Sequence, residues 1–400
     1  VPIFAVCIFS CGFSADFRLM GQLNYSIKNK QVAGIYIHIP FCKSACHYCN
    51  FHFSTSLHYK NELLAALLKE VRLQQSFPGM EQVSSLYFGG GTPSLLENEE
   101  VNQLIDEIRT HYNLVPDAEI TLEANPDDLT EEKLQGWKSA GINRLSIGVQ
   151  SFFEEDLRWM NRAHTSSQAT EGLELALRYF DNITIDLIYG TPGLTDEKWQ
   201  QNVAKAIALG IPHLSCYALT VEPKTPLDKL IRKEQYENVD PDQQSSQFLQ
   251  LMHWLEEAGY EHYEISNFAI PGKRSRHNSS YWKQQPYLGL GPSAHSFYGN
   301  ERQWNIANNN TYIKALQEDC IPFEKEILTP AQQANEYIMT SLRTMEGLHL
   351  QRMNEAQQKQ LEKGAAKYLN SGLLLFREDH LILTREGKLL ADGIAADLFF

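Results

Sequence analysis

Three of the seven cysteines, Cys42, Cys46 and Cys49, fall within eight residues in a C-x3-C-x2-C run that follows a short apolar stretch at 35–39. Thiolates are soft ligands, suited to iron–sulfur clusters and to zinc. A loop of this length can turn three sulfurs toward one point. Structural zinc takes four protein ligands, and a closed iron–sulfur cluster takes four cysteines. Here the run stops at three, and Asn50 and Phe51 follow. A cluster held by three cysteines keeps one iron open, and an open metal position is where chemistry or ligand binding takes place. Two other readings compete: zinc with His47 or His52 as the fourth ligand, and three buried thiols in a loop.

The elements that must position this loop repeat one pattern from Gly34 onward: apolar strand, polar or glycine-rich turn, amphipathic helix. Strands are expected at 35–39, 85–88, 119–123, 144–149, 183–188 and 213–219, with helices at 57–73, 97–112, 130–139, 154–160, 168–180 and 196–209 between and after them. Such alternation predicts parallel pairing through right-handed crossovers. Six units are too few for a full eight-stranded barrel. The expected fold is therefore α/β, an open (β/α)6 TIM-like partial barrel.

In such sheets ligands sit beyond the C-terminal ends of the strands. Every unusual cluster falls at such an end: the cysteine loop, Gly89-Gly90-Gly91-Thr92-Pro93-Ser94, Ala124-Asn125-Pro126-Asp127, Gln150-Ser151-Phe152 and Tyr189-Gly190-Thr191-Pro192-Gly193. That coincidence predicts one shared site. The three glycines let backbone approach a ligand closely, although a tight strand-to-helix turn would use them equally. Glu123, at the end of the third strand, suits an ammonium or ribose hydroxyls, or is a solvated strand-end acid. Gln150 ends the fourth strand, Arg162 lies twelve residues beyond it, and Asp186 is in the fifth.

After Pro223 the pattern loosens. Helices are expected at 227–237 and 240–258, an extended edge at 261–268, and aromatic and glycine-rich loops at 276–282 and 288–296. From about 305 the chain reads as helices at 309–318, 330–343 and 351–370, a hairpin of 373–377 with 380–383, and a last helix at 387–398. That order predicts a smaller, mostly helical, winged-helix-like domain. The expected division is an extension at 1–32 outside the fold, a core domain at 33–268 and a C-terminal domain at 269–400.

The formal charge of −14 argues against nucleic-acid binding and against more than peripheral contact with an anionic membrane. Cys216 and Cys320 are scattered singly, so no disulfide framework is visible, and a reducing cytoplasm is expected. Residues 1–13 are apolar, but no basic residue precedes them, and the run is too short to span a bilayer. The expectation is dispensable sequence with Met20 as a start; a lipid-modified or membrane-touching tail is the alternative.

The cysteine run, with aromatic Tyr48 before its last member, resembles the signature of the radical S-adenosylmethionine (SAM) superfamily. The resemblance implies a [4Fe-4S] cluster on Cys42, Cys46 and Cys49 whose open iron binds SAM. It also implies reductive cleavage of the sulfonium to a 5′-deoxyadenosyl radical. Tyr36 six residues before Cys42, the Gly89–Ser94 turn, Glu123, Ser146-Ile147-Gly148-Val149-Gln150-Ser151-Phe152, Arg162 and Asp186-Leu187-Ile188-Tyr189-Gly190-Thr191-Pro192-Gly193 resemble one family in particular. It comprises the oxygen-independent coproporphyrinogen III oxidases and their relatives, the HemW-type heme chaperones. The match runs from about Gly34 to the C-terminus. It implies SAM contacts at Tyr36, Gly91, Thr92, Glu123, Gln150, Arg162 and Asp186.

Three features separate the branches. The oxidases carry a further cysteine two residues after the last cluster cysteine, where Phe51 stands here. The oxidases also carry a long N-terminal segment that helps close the substrate site, whereas the thirty residues here are shorter and do not resemble it. His277-Asn278-x-x-Tyr281-Trp282 resembles a chaperone motif associated with heme, which makes His277 a heme-ligand candidate, with a hydrogen-bonded structural histidine as the competing reading. His295 is a second candidate. The resemblance thus implies a heme chaperone that binds the cluster, SAM and heme and serves apo-hemoproteins, with room for a homodimer. The alternative is radical oxidative decarboxylation of coproporphyrinogen III; whether the chain is an enzyme turns on Phe51.

Overall fold

The computed structural model describes residues 32–400. The expectations for the extension, including its start, concern residues outside these, Val32 apart.

In chain order the elements are β1 Ala33–Ile39, α1 Lys60–Leu73, β2 Val83–Gly90, α2 Asn98–His111, β3 Leu114–Ala124, α3 Glu131–Ala140, β4 Arg144–Gln150, α4 Glu154–Trp159, α5 Ser166–Ala176, β5 Ile183–Tyr189, α6 Asp196–Ala208 and β6 His213–Ala218. Strands β1 to β6 pair in sequence order, all parallel. This is the α/β partial barrel that the strand–helix alternation predicts.

Local chemistry fixes the helix starts. Thr130, Thr165 and Thr195 accept from the amides of Lys133, Gln168 and Lys198 and so cap α3, α5 and α6. Helix α2 buries Val101, Leu104, Ile105 and Ile108, one stripe at helical spacing, against the sheet.

The strands show why the interior can do chemistry. Side chains alternate between faces. Ile35, Ile37, Ile39, Leu86, Phe88, Leu122, Leu145, Ile147, Ile185 and Leu214 pack into one large apolar core with the helices. Tyr36, Tyr87, Thr121, Glu123, Arg144, Ser146, Thr184, Asp186 and His213 occupy the alternate positions, and the register brings Tyr36 beside Tyr87, Tyr87 beside Thr121, and Glu123 beside Ser146. The barrel wall is hydrocarbon outside and polar inside.

Beyond β6 come α7 Pro226–Arg232, α8 Pro241–Glu257, β7 Glu261–Glu264, β8 Asn267–Ala269, α9 Arg276–Trp282, β9 Tyr287–Leu290, β10 His295–Tyr298, β11 Glu301–Asn305, α10 Asn309–Gln317 and β12 Phe323–Ile327. The large sheet has twelve strands in the order β12-β11-β10-β9-β1-β2-β3-β4-β5-β6-β8-β7, so β7 and β12 are its edges and the barrel stays open. Strand β9 lies parallel to β1, with Gly34 opposite Tyr287 and Ile37 opposite Leu290. The stretches 276–282 and 288–296, expected as loops, are a helix and parts of two strands. Every position of β9 is buried, which erases the period-2 signal, and four residues are too few to register otherwise. Ser275 caps α9 by accepting from the Asn278 amide. The sheet thus continues across the division expected at 268/269.

The last elements are α11 Pro330–Leu342, β13 Leu348–His349, α12 Glu355–Asn370, β14 Leu374–Arg377, β15 His380–Leu383 and α13 Ala391–Asp397. Three of these form a small sheet ordered β13-β15-β14. They enclose a second apolar core around Ile338, Leu342, Leu361, Ala365, Leu381 and Ile394. Among the described residues, no helix is long and apolar enough to cross a membrane.

Candidate functional site

The C-terminal ends of β1 to β6 open onto one cavity of ≈ 320 Å³. Cys42, Cys46, Cys49, Gly91, Thr92, Glu123, Gln150, Arg162 and Asp186 all line it, together with Tyr48, Phe51, Asn125, Ser146 and Tyr217. Four of the five strand-end clusters reach this cavity, whereas Tyr189-Gly190-Thr191-Pro192-Gly193 contributes no lining residue to it.

The cysteine loop is held from two sides. Toward α4, the His47 amide donates to the Met160 carbonyl at 3.1 Å, His47 Nδ1 donates to the Trp159 carbonyl at 2.9 Å, and Asn161 Nδ2 donates to the Ala45 carbonyl at 2.8 Å. Toward β3, Lys43 Nζ binds Asp127 Oδ2 at 2.6 Å and also Asp128 Oδ1, while Ser94 Oγ donates to Asp128 Oδ2 at 2.6 Å. The loop is therefore fastened at once to the end of α4 and to the turn after β3.

Arg162 ties the loop to the cavity wall. Its Nη1 donates to Cys46 Sγ at 3.3 Å, and its Nη2 donates to Asn125 Oδ1 at 2.8 Å and to the Gly148 carbonyl at 2.7 Å. Its Nε is buried without a partner among the described residues. At Gly148 a Cβ would lie 3.0 Å from Gln150 Nε2 and 3.1 Å from Arg162 Nη2, so both side chains would have to shift to admit it. Gln150 itself takes a left-handed backbone, φ 67°, a conformation that costs a non-glycine residue about 1 kcal/mol and that swings its side chain to the rim.

Thr92 Oγ1 donates to Cys42 Sγ at 3.6 Å. Burial pushes the Cys42 thiol up to about 11 and the Cys49 thiol up to about 12. Metal loading must displace those protons. Among the described residues no three His, Cys, Asp or Glu side chains are gathered tightly enough to share one metal ion. A cubane binds each thiolate on a separate iron and asks for wider spacing. Three thiols on one cavity wall, two with side-chain donors on their sulfurs, fit such a cluster.

Glu123 and Asp186 supply carboxyl oxygens. Glu123 Oε1 accepts from Tyr87 Oη at 2.8 Å and Oε2 from the Gly90 amide at 3.1 Å. Burial, with repulsion from Glu123 behind it, raises the Asp186 carboxyl to about 7. Two carboxylates, a guanidinium, a glycine turn and a primary amide converge on a cavity that also exposes Phe51 and Ala218. That set suits a zwitterionic ligand with an apolar portion.

Two expected site residues lie elsewhere. Tyr36 sits below the cavity floor, its hydroxyl 3.1 Å from His38 Nδ1 and its ring stacked on Tyr87. His277 is buried among the barrel side chains, with both ring nitrogens hydrogen-bonded within the protein. Asn125 was named only within a strand-end cluster and Tyr48 only within the cysteine signature; both line the cavity, as does Lys43, which sequence reasoning missed.

Comparison with known proteins agrees with this geometry. The radical SAM superfamily matches residues 36–206, and the HemN C-terminal domain matches residues 328–390. The solved structure of coproporphyrinogen III oxidase (HemN) from Escherichia coli superposes with a TM-score of 0.79 at 24% identity, covering 92% of this chain and 90% of that one. At that identity the likeness shows the fold alone. Heme chaperone HemW of Bacillus subtilis is 34% identical over 90% of this chain and 97% of its own length. That of Mycobacterium tuberculosis is 35% identical over 92% of this chain and 95% of its own. By similarity at this level along almost its whole length, the chain belongs to the HemW heme chaperone family of the radical SAM superfamily.

Proposed function

We propose that this protein is a heme chaperone whose barrel holds a [4Fe-4S] cluster on Cys42, Cys46 and Cys49, with SAM beside it, and which passes heme to apo-hemoproteins in a reducing cytoplasm. The observation that carries this reading is the set of three thiols facing one strand-end cavity in a chain of the HemW family. When bound, the cluster supplies an open iron and an electron.

The residues do the rest. Arg162 and Thr92 place positive charge and a hydroxyl donor against the Cys46 and Cys42 sulfurs. Gly91 brings backbone up to the cavity, and Glu123 and Asp186 offer acceptors for the SAM ammonium and ribose hydroxyls. Gln150 closes the rim. His277 is not offered as the heme ligand, because its ring is buried and both nitrogens are engaged. A homodimer would give heme a second wall.

A second reading, coproporphyrinogen III decarboxylation, has the shared fold in its favour. Phe51 stands against it, presenting hydrocarbon to the cavity where the oxidases place a thiol.

The deciding experiment uses anaerobically reconstituted protein. Iron and sulfide should be present in equal amounts and should disappear in Cys42→Ala, Cys46→Ala or Cys49→Ala, while Cys216→Ala and Cys320→Ala keep them. Heme-loaded protein should then activate an apo-hemoprotein. Conversion of coproporphyrinogen III to protoporphyrinogen IX with SAM and reductant would instead establish the oxidase.

A further inference from the structure

Helix α9 closes the barrel from below, and His277 is its innermost side chain, 1% exposed. The imidazole Nδ1 lies 2.8 Å from Ser85 Oγ of β2, and Nε2 lies 2.9 Å from Tyr281 Oη. The main-chain amides of Arg276 and His277 donate to the two oxygens of Glu119 at 3.0 and 2.9 Å, which fastens the helix to β3. Gly34 admits the ring: a Cβ at that position would stand 3.2 Å from two ring atoms.

The ring stacks on Tyr87, centroids 4.9 Å apart and planes 21° apart. Tyr87 also stacks on Tyr36 at 6.1 Å. Its hydroxyl donates to Glu123 Oε1, and Glu123 Oε2 takes the Gly90 amide at the head of the glycine turn. An unbroken line of contacts thus runs from α9 through His277, Tyr87 and Glu123 to the cavity.

We propose that His277 is a positioning residue: by packing Tyr87 it holds Glu123 against the Gly90 amide at the cavity, and its imidazole takes no exogenous ligand. To coordinate a metal or porphyrin it would have to give up a hydrogen bond and the Tyr87 stack together. The same displacement would free Tyr87 from Glu123, so ligation at His277 and a well-formed cavity exclude each other. This inference rests on the reading that the cavity binds SAM.

The test is SAM titration calorimetry on cluster-loaded protein. His277→Ala and Tyr87→Phe should each weaken SAM binding about tenfold. The double variant should be no weaker than the weaker single variant, because both act through Glu123. Leu361→Ala, in the second core, should lower thermal stability while leaving the SAM affinity unchanged. Hemin titration should give the same Soret band in His277→Ala as in wild type.

A hundredfold, additive loss in the double variant overturns the proposal, as does an equal loss of affinity in Leu361→Ala. Loss of the Soret band with SAM affinity intact makes His277 a ligand instead. If wild type binds no SAM, the reading of the cavity falls as well; if it does and the single variants match it, only the positioning role falls. Should His277→Ala not fold, Tyr87→Phe keeps the ring, and Gly34→Ala presses the imidazole from behind. That pair then carries the same comparison.

Discussion

Asp186 is the residue whose ionisation the barrel alters most usefully. Its carboxyl stands at about 7 rather than 3.8 because burial, then Glu123, disfavours the charge. Folding therefore takes up a proton between those values. The stabilisation is complete below the ordinary carboxyl range and is lost as pH rises through about 7. Metal-free Asp186→Asn should equal wild type near pH 4 and exceed it at pH 8, the gap opening by about 1.4 kcal/mol per pH unit within the window. Urea unfolding of both proteins at several pH values measures this; a gap that ignores pH would refute it. At this scale most of the site was legible, because thiols at metal spacing and polar residues at strand ends announce themselves. The surroundings of Tyr36 and His277 were not legible, since a motif names residues without saying which side chains pack against them.

Gly91 shows how two elements meet. A Cβ there would lie 2.6 Å from the Phe41 carbonyl, 2.9 Å from the Phe41 amide and 3.0 Å from the Ile39 carbonyl, all backbone atoms. Backbone cannot step aside as a flexible side chain can. Gly91→Ala should push the start of the cysteine loop outward and lower iron content by about half or more, with far-UV circular dichroism unchanged; full iron loading would sink the claim. Among the elements, the six parallel strands were readable from their apolar runs and turns. Strands β9 to β12 were not. Strand β9 is short and wholly buried, and β12 reads Phe-Glu-Lys-Glu-Ile, a charged edge whose sequence resembles a solvated loop.

At the scale of the molecule, Glu264 and Arg343 form one of the ion pairs that link the large sheet to the second core, Arg302 with Glu336 being another. Glu264, 2% exposed, accepts from Arg343 Nε at 3.0 Å and from Asn267 Nδ2 at 2.6 Å, and the Arg343 guanidinium lies over Trp282, 5.3 Å from the ring centroid. Arg343→Met leaves a buried carboxylate without its cation and should cost about 3 kcal/mol. Thermal unfolding should then split into two steps, the second core melting first; a single transition at the wild-type temperature would count against this coupling. The expected winged-helix-like tail is found, but the sheet does not stop at Ala269. Strand β9 covers the outer flank of β1, the strand that leads into the cysteine loop. A shortened carrier ending at Ala269 would bare the amide and carbonyl row of β1 to any passing chain. It would precipitate rather than serve as a minimal SAM-binding unit, so anyone trimming this scaffold must keep the polypeptide at least through Ile327.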